Sequence, residues 1–198
     1  MATPNIVPRS DSEGGLGTAA KYWASAYIDA VNAATYNGIP FYSDVTNNSM
    51  YTHNVSATDS TAQYNTAYGF AAIDVITTGD NNTAMGYGAG SALTGGSQNS
   101  LIGSNAGFSL TQGNYNVAMG FEALYSQTTG HYNVAIGRRA LKDQDVADAY
   151  NVAVGYHAGE NVTTGVQNIL IGGLAGDALT VGVKNVAIGV MSLSTEDT

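Results

Sequence analysis

Asn116-Val117-Ala118-Met119-Gly120-Phe121-Glu122-Ala123-Leu124-Tyr125-Ser126-Gln127-Thr128-Thr129-Gly130-His131-Tyr132 is followed at once by Asn133-Val134-Ala135-Ile136-Gly137-Arg138-Arg139-Ala140-Leu141. The second stretch opens as the first does. The same opening recurs on Asn65, Asn82, Asn99, Asn116, Asn133, Asn151, Asn168 and Asn185, 17 residues apart except for one step of 18. Four residues after each asparagine stands a glycine: Gly69, Gly86, Gly103, Gly120, Gly137, Gly155, Gly172 and Gly189. A small or apolar residue lies two after it, and an alanine (Ser192 in the last unit) lies seven after it. A second glycine precedes the next asparagine by three, except in the 18-residue unit. A fixed period over eight units is the mark of a repeat architecture, not of a composition-biased tract.

Within Asn116–Gly120, Val117 and Met119 alternate with Asn, Ala and Gly. Period two predicts a strand with Val117 and Met119 on one face and only small groups on the other. The glycine that follows predicts a bend or a positive φ. Thr128–Gly130 and Thr94–Gly96 predict a second turn. Leu93, Leu110, Val162 and Leu179 are expected to supply the apolar side chain of a second short strand. One unit therefore reads strand, turn, strand, turn. So small a unit has too little apolar surface to fold alone, so the units must stack and pair their backbones. Eight coils at strand spacing make a segment about 38 Å long. The asparagines are expected to form a ladder, each bonding its neighbour and the turn backbone. A triangular hexapeptide β-helix, as in acyltransferases, needs its signature three times per turn, and here it occurs once. A flat coil is expected to leave an Ala-rich surface, covered most naturally by two symmetry copies in a homotrimer.

Composition agrees. Charged residues are 11% of the 198, and glycine is one residue in eight. Lys, Glu and Arg are scarce beside Asn, Thr, Ser, Tyr and Val, which suits strands and tight turns. The net charge of −9, with six basic residues, gives no footprint for nucleic acid. No run of 18 apolar residues predicts a membrane-inserted helix. With no cysteine, neither a disulfide nor a thiolate metal site can form.

No nucleophile motif, phosphate loop or zinc spacing is present, so neither a catalytic residue, nor a metal site, nor a cofactor is assigned. His53, His131 and His157 lie in unrelated contexts and read as solvated or edge-packed. Asp143, Asp145 and Asp148 fall in the 18-residue unit. They read as a solvated bulge, with Ca²⁺ binding or glycoside cleavage as the competing ideas. Tyr87, Phe121 and Tyr156 follow the repeat glycine in three units; Tyr115, Tyr132 and Tyr150 precede the repeat asparagine. They read either as ladders packed between coils or as a stripe that stacks on sugar; the candidate receptor contact is Tyr87, Phe121 and Tyr156.

Residues 65–193 resemble the repeat of phage tail fibres, N-T-A-I-G-Y-Q-A-L-x-x-N-T-T-G-x-N. They are also similar to the N-S-V-A-I-G-x-x-A units in the heads of trimeric autotransporter adhesins. The resemblance implies an all-β fold, a trimeric left-handed parallel β-roll or solenoid of about eight 17-residue coils. Ile6-Val7-Pro8, Asp11–Gly17, Lys21-Tyr22-Trp23 and Tyr27–Val31 resemble a run found near the start of many tail fibres. That likeness implies a small N-terminal attachment region, residues 1–47, docking on tail or baseplate proteins, with Leu16, Trp23 and Tyr27 as candidate contacts. A short helix over Thr18–Ala26 and a strand over Tyr27–Val31 are expected within it. Residues 48–64 form a junction or degenerate coil beginning near Asn48, and 65–198 the shaft or head. Nothing after the last repeat resembles the self-cleaving chaperone of related fibres.

The function these features imply is a non-enzymatic, structural tail fibre projecting from a virion and contacting host-surface glycan or protein. Met1–Gly15 shows no basic patch ahead of an apolar core, which predicts synthesis in the host cytoplasm without a signal peptide. The alternatives are the head of a bacterial trimeric surface adhesin and a glycan-cleaving tailspike.

Overall fold

The computed structural model describes residues 35–36, 39–40, 42–44, 49–51 and 61–194. All of them belong to one compact unit, Ala34–Thr198. Leu16, Trp23, Tyr27, Asn48, His53 and the expected N-terminal helix and strand lie outside the described residues.

The described residues are all-β. A two-residue pair, β1 (Thr35–Tyr36) and β2 (Ile39–Pro40), precedes the main sheet. That sheet has ten strands in sequential order. β3 (Tyr42–Asp44) runs antiparallel to β4 (Ser49–Tyr51). From β4 onward nine strands are parallel. They continue as β5 (Thr66–Tyr68), β6 (Thr83–Met85), β7 (Ser100–Ile102) and β8 (Val117–Met119). β9 (Val134–Ile136), β10 (Val152–Val154), β11 (Ile169–Ile171) and β12 (Val186–Ile188) complete the stack. Each partner is the equivalent residue of the next unit, as in Val117↔Val134 and Ala118↔Ala135. The described residues thus form a β-solenoid of about eight coils, one per repeat. β4 takes the place of a coil strand one residue out of phase: Met50, not Ser49, lies opposite Thr66.

The asparagine ladder forms as the repeat predicts. Asn116 Nδ2 donates to Gly130 O at 2.8 Å and to Asn99 Oδ1 at 3.2 Å. Its own Oδ1 accepts from Asn133 N at 3.0 Å and Asn133 Nδ2 at 3.2 Å. The side chain therefore ties the strand start to the turn that closes its coil and to the coils on either side. Each of the eight repeat asparagines except Asn185 is buried to within 1% of complete. A buried amide with all its groups bonded avoids the desolvation cost that an unmatched one carries.

The repeat glycines have φ between 126° and 146°. A Cβ on Gly103 would lie 2.6 Å from the carbonyl oxygen of Gly120. Both the conformation and the close approach of the next coil exclude a side chain there.

Two expectations from the sequence are corrected. The limb carrying Leu93, Leu110, Val162 and Leu179 is not a strand. It is a chain of turns, bonded to the next coil by backbone contacts such as Leu124 N to Ala140 O and Ser126 N to Lys142 O. Three further positions of every coil besides the repeat glycine have positive φ: one before the asparagine, and six and eight after it. Nineteen of these residues are not glycine, Glu122, Leu124 and Tyr132 among them. Left-handed residues cost on the order of 1 kcal/mol each and persist only where surrounding bonds hold them.

The second correction concerns the faces. The Ala-rich side is not a free surface but the inside of the coil. Ala67, Ala118, Ala135 and Ala153 are fully buried, as are Ala72, Ala123, Ala140 and Ala158 on the opposite limb. Val117, Met119 and their equivalents look outward instead. The two limbs lie so close that only small groups fit where the strand faces its own turn limb.

The exceptions among these small groups are compensated. Leu101 and Leu170 replace the strand alanine and are fully buried. A Cβ on Gly90 would lie 2.6 Å from Leu101 Cδ1, and one on Gly107 2.9 Å from Leu101 Cδ2. Gly159 and Gly176 stand in the same relation to Leu170, each Cβ at 2.7 Å. Where the strand has Ala118 or Ala135, the glycine position holds buried Leu124 or Leu141. Six of the eight coils thus carry one large side chain at this pair of positions, and in the coils of Ala84 and Ala153 the space at Gly90 or Gly159 is filled by Leu101 or Leu170 of the following coil.

Leu101→Ala should therefore destabilise the solenoid by about 2–5 kcal/mol in urea unfolding, since two glycines border the space left. Adding Gly107→Leu should recover most of that loss, because Leu124 and Leu141 adopt the same positive φ beside an alanine. A double variant no more stable than Leu101→Ala would refute limb-to-limb compensation.

Candidate functional site

In-register parallel stacking sets equivalent side chains about 4.8 Å apart, close to the spacing of stacked rings. The aromatic residues of the repeat accordingly form columns. Tyr115, Tyr132 and Tyr150 stack with centroids 5.1 and 4.8 Å apart and planes within 7° of parallel. Phe70 and Tyr87 stack at 6.0 Å in the column that follows the repeat glycine. Phe108 and Tyr125 form a third column at 5.2 Å. Sequence reasoning missed this last pair, although their separation of 17 residues was its signal.

Tyr87, Phe121 and Tyr156 lie in one column, but not next to one another. Tyr87 packs on Phe70, and Phe121 and Tyr156 enclose the guanidinium of Arg138, whose Cζ is 5.7 and 5.6 Å from the two ring centroids. Many ring faces are therefore turned to each other, and the columns present edges and hydroxyl groups to solvent. Ser104 occupies the column between Tyr87 and Phe121, so no ring covers the Ser104 side of either among the described residues.

Around Arg138 runs a polar chain across three coils. Arg139 Nε donates to Glu122 Oε2 at 2.8 Å, and its Nη1 lies 3.6 Å from Glu160 Oε1. Glu160 Oε2 is bonded by His157 Nδ1, and His157 Nε2 by Arg138 Nη1. The imidazole thus bridges the Glu160 carboxylate and the Arg138 guanidinium through its two nitrogens. Arg138 Nη1 also reaches the Tyr156 hydroxyl at 3.4 Å. Lys142 pairs with Asp143 at 2.8 Å.

The candidate carboxylates are not gathered. Asp143 is taken by Lys142, and Asp145 Oδ1 accepts from Thr128 N at 3.1 Å and Thr128 Oγ1 at 2.7 Å. Asp148 is exposed and forms a backbone bridge with His131. Among the described residues no group of three or more His, Cys, Asp or Glu is arranged to hold a metal ion. The 18-residue unit is accommodated inside instead. Gln127 and Gln144, fully buried, replace the Leu, Ile or Val of other coils. Gln144 Nε2 donates to Gln127 Oε1 at 2.7 Å, Gln127 Nε2 to Val146 O at 3.1 Å, and Asn151 Nδ2 to Gln144 Oε1 at 2.8 Å.

A further ladder escaped the sequence. Backbone amides of Gln63, Asp80, Ser97 and Asn114 donate to the side chains of Asp80, Ser97, Asn114 and His131 at 2.6–2.9 Å. His131 Nδ1 is thereby an acceptor, and His131 is a structural residue of this ladder. Four residue types perform one task, so only their position two before the repeat asparagine could have revealed it.

Comparison with family models, with curated proteins and with solved structures finds no match to this chain.

With its aspartates dispersed, titration of the protein with CaCl2 should give only the heat of dilution. A saturable binding isotherm lost in Asp145→Asn would show that the 18-residue coil does hold the ion.

Proposed function

We propose that this chain is a structural, trimeric tail fibre of a bacteriophage that contributes to host-surface recognition. The observation that carries the proposal is the outer face of the parallel sheet. It presents Val134 and Ile136, Val152 and Val154, Ile169 and Ile171, and Val186 and Ile188 in two unbroken rows, with Val117 and Met119 above them. Ile169 is 40% exposed and Ile188 67% exposed in the single chain. A contiguous apolar sheet face of this kind is costly in water. The repeat's likeness to phage fibre units favours three copies, wound left-handed, each covering this face against the other two.

The mechanism is passive. The trimer forms a stiff segment, residues 1–47 attach it to tail or baseplate proteins through Leu16, Trp23 and Tyr27, and the lateral columns meet host glycan or protein. Weak contacts repeated on three chains and on several fibres gain by multivalency. No turnover of the receptor is required. The dispersed carboxylates Asp143, Asp145 and Asp148 supply no paired acid and base for a glycan-cleaving tailspike.

Light scattering should give about 61 kDa, three chains of 20.3 kDa, and the double variant Ile169→Asp, Ile171→Asp should fall to 20.3 kDa. The wild-type trimer should adsorb to host cells without releasing glycan fragments. Replacing Tyr87, Phe121 and Tyr156 together by alanine should reduce adsorption at unchanged mass. A wild-type protein of 20.3 kDa in solution would remove the basis of the proposal.

A further inference from the structure

We infer that Arg138 is an anion-binding site for an acidic sugar, its Nε–Nη2 edge taking two oxygens of a carboxylate or phosphate carried by a surface polysaccharide. This inference rests on the recognition role proposed above and names its ligand chemistry.

Cations are rare in this chain, and four of its six lie among the described residues: Arg138, Arg139, Lys142 and Lys184. Arg139 has two carboxylates and Lys142 has one. Arg138 and Lys184 have none among the described residues. Glu160, on the coil that follows, is turned to Arg139 and His157. The imidazole of His157 stands between it and Arg138.

Arg138 is exposed, yet it is held. The rings of Phe121 and Tyr156 fix the plane of its guanidinium, and the bonds from Nη1 to Tyr156 and His157 fix its rotation within that plane. All these contacts fall on the two faces and on Nη1. Nε and Nη2 meet no acceptor among the described residues. Those parallel N–H groups form the fork that matches a carboxylate or phosphate bidentately. A flexible surface arginine has to be ordered before it binds, whereas this one is ordered already, which lowers the cost of association.

The surroundings fit a sugar better than a free ion. Beside Arg138 in the same column, Phe121 and Tyr156 are 40% and 53% exposed. A pyranose whose acid group sits on Arg138 also meets the exposed edges of the Phe121 and Tyr156 rings that flank it, apolar surface for its C–H groups. The net charge of −9 repels polyanions at long range. Selectivity for an acidic glycan therefore has to come from a local, oriented donor pair, and three copies per trimer multiply a weak site.

The test uses the full-length protein with three probes: galacturonate oligomers, mannose 6-phosphate oligomers and neutral galactose oligomers. Binding is read by titration calorimetry and by the Arg Nε–H NMR signals. At least one acidic probe should bind, with the neutral one weaker by tenfold or more, and which acid binds identifies carboxylate or phosphate as the source. R138Q should lose that preference and R138K should retain only part of it. K184Q, which removes the same charge elsewhere, should bind as wild type does. Equal binding of neutral and acidic probes, no binding of either acid, or equal loss in R138Q and K184Q would overturn the assignment. Cell adsorption of the R138Q trimer separates the two levels. If wild type and R138Q both adsorb to cells and show the same preference among the probes, the anion site falls and the fibre role stands. If wild type binds the acid through Arg138 but does not adsorb to cells, the site stands and the fibre role falls.

Discussion

The amide of the repeat asparagine is the interaction on which the solenoid depends. A coil of 17 residues contains one three-residue strand and little else of regular structure, so its closure needs a tie between beginning and end. Asn116 provides it by reaching the Gly130 carbonyl, and at the same time presents its oxygen to the next coil. One buried side chain thus satisfies the turn and sets the register of stacking. Aspartate keeps the acceptor but not the donor, and leucine keeps neither, which is why a polar residue occupies the most buried corner of the repeat.

Around that tie, the interior is divided between two limbs too close together for bulky pairs. Alanines face each other in most coils. Where Leu101 or Leu170 intrudes, glycines on the opposite limb recede. The left-handed residues follow from the same narrowness. The return limb has to reverse direction within a few residues while its backbone still bonds to the coils beside it. Inter-coil hydrogen bonds hold Glu122, Leu124 and Tyr132 in conformations that their side chains do not favour.

The period, the strand, the bend at Gly120 and the asparagine ladder were all legible in the sequence, because each leaves an invariant residue at a fixed position. The inside and outside of the coil were not. Alternation of Val117 and Met119 with Ala118 defines two faces, but hydrophobicity favours the larger pair for the core, and only the separation of the limbs decides otherwise. The turn limb was misread because Leu110 looks like a strand residue, and nothing in Glu122 or Tyr132 announces a positive φ. Of the candidate site, the column of Tyr87, Phe121 and Tyr156 was visible as spacing. The place of Arg138 between two of its rings was not, since a charged residue interrupts the aromatic pattern that drew attention to the column.

The coil-on-coil arrangement also bears on how such a chain changes length. Because the backbone amide of Asn99 donates to Asn82 Oδ1 and Asn99 Oδ1 accepts from the backbone amide of Asn116, just as at Asn168 between Asn151 and Asn185, a whole unit can be duplicated or excised with this ladder closing across the seam, shifting the length in steps of about 4.8 Å. The exception lies between Gln127 and Gln144. Gln144 Nε2 donates to Gln127 Oε1 across the seam, so a recombination that separated the two would leave one amide facing an apolar side chain and without that bond. Length variation must move this pair as a block, and must likewise keep Leu101 beside Gly90 and Leu170 beside Gly159.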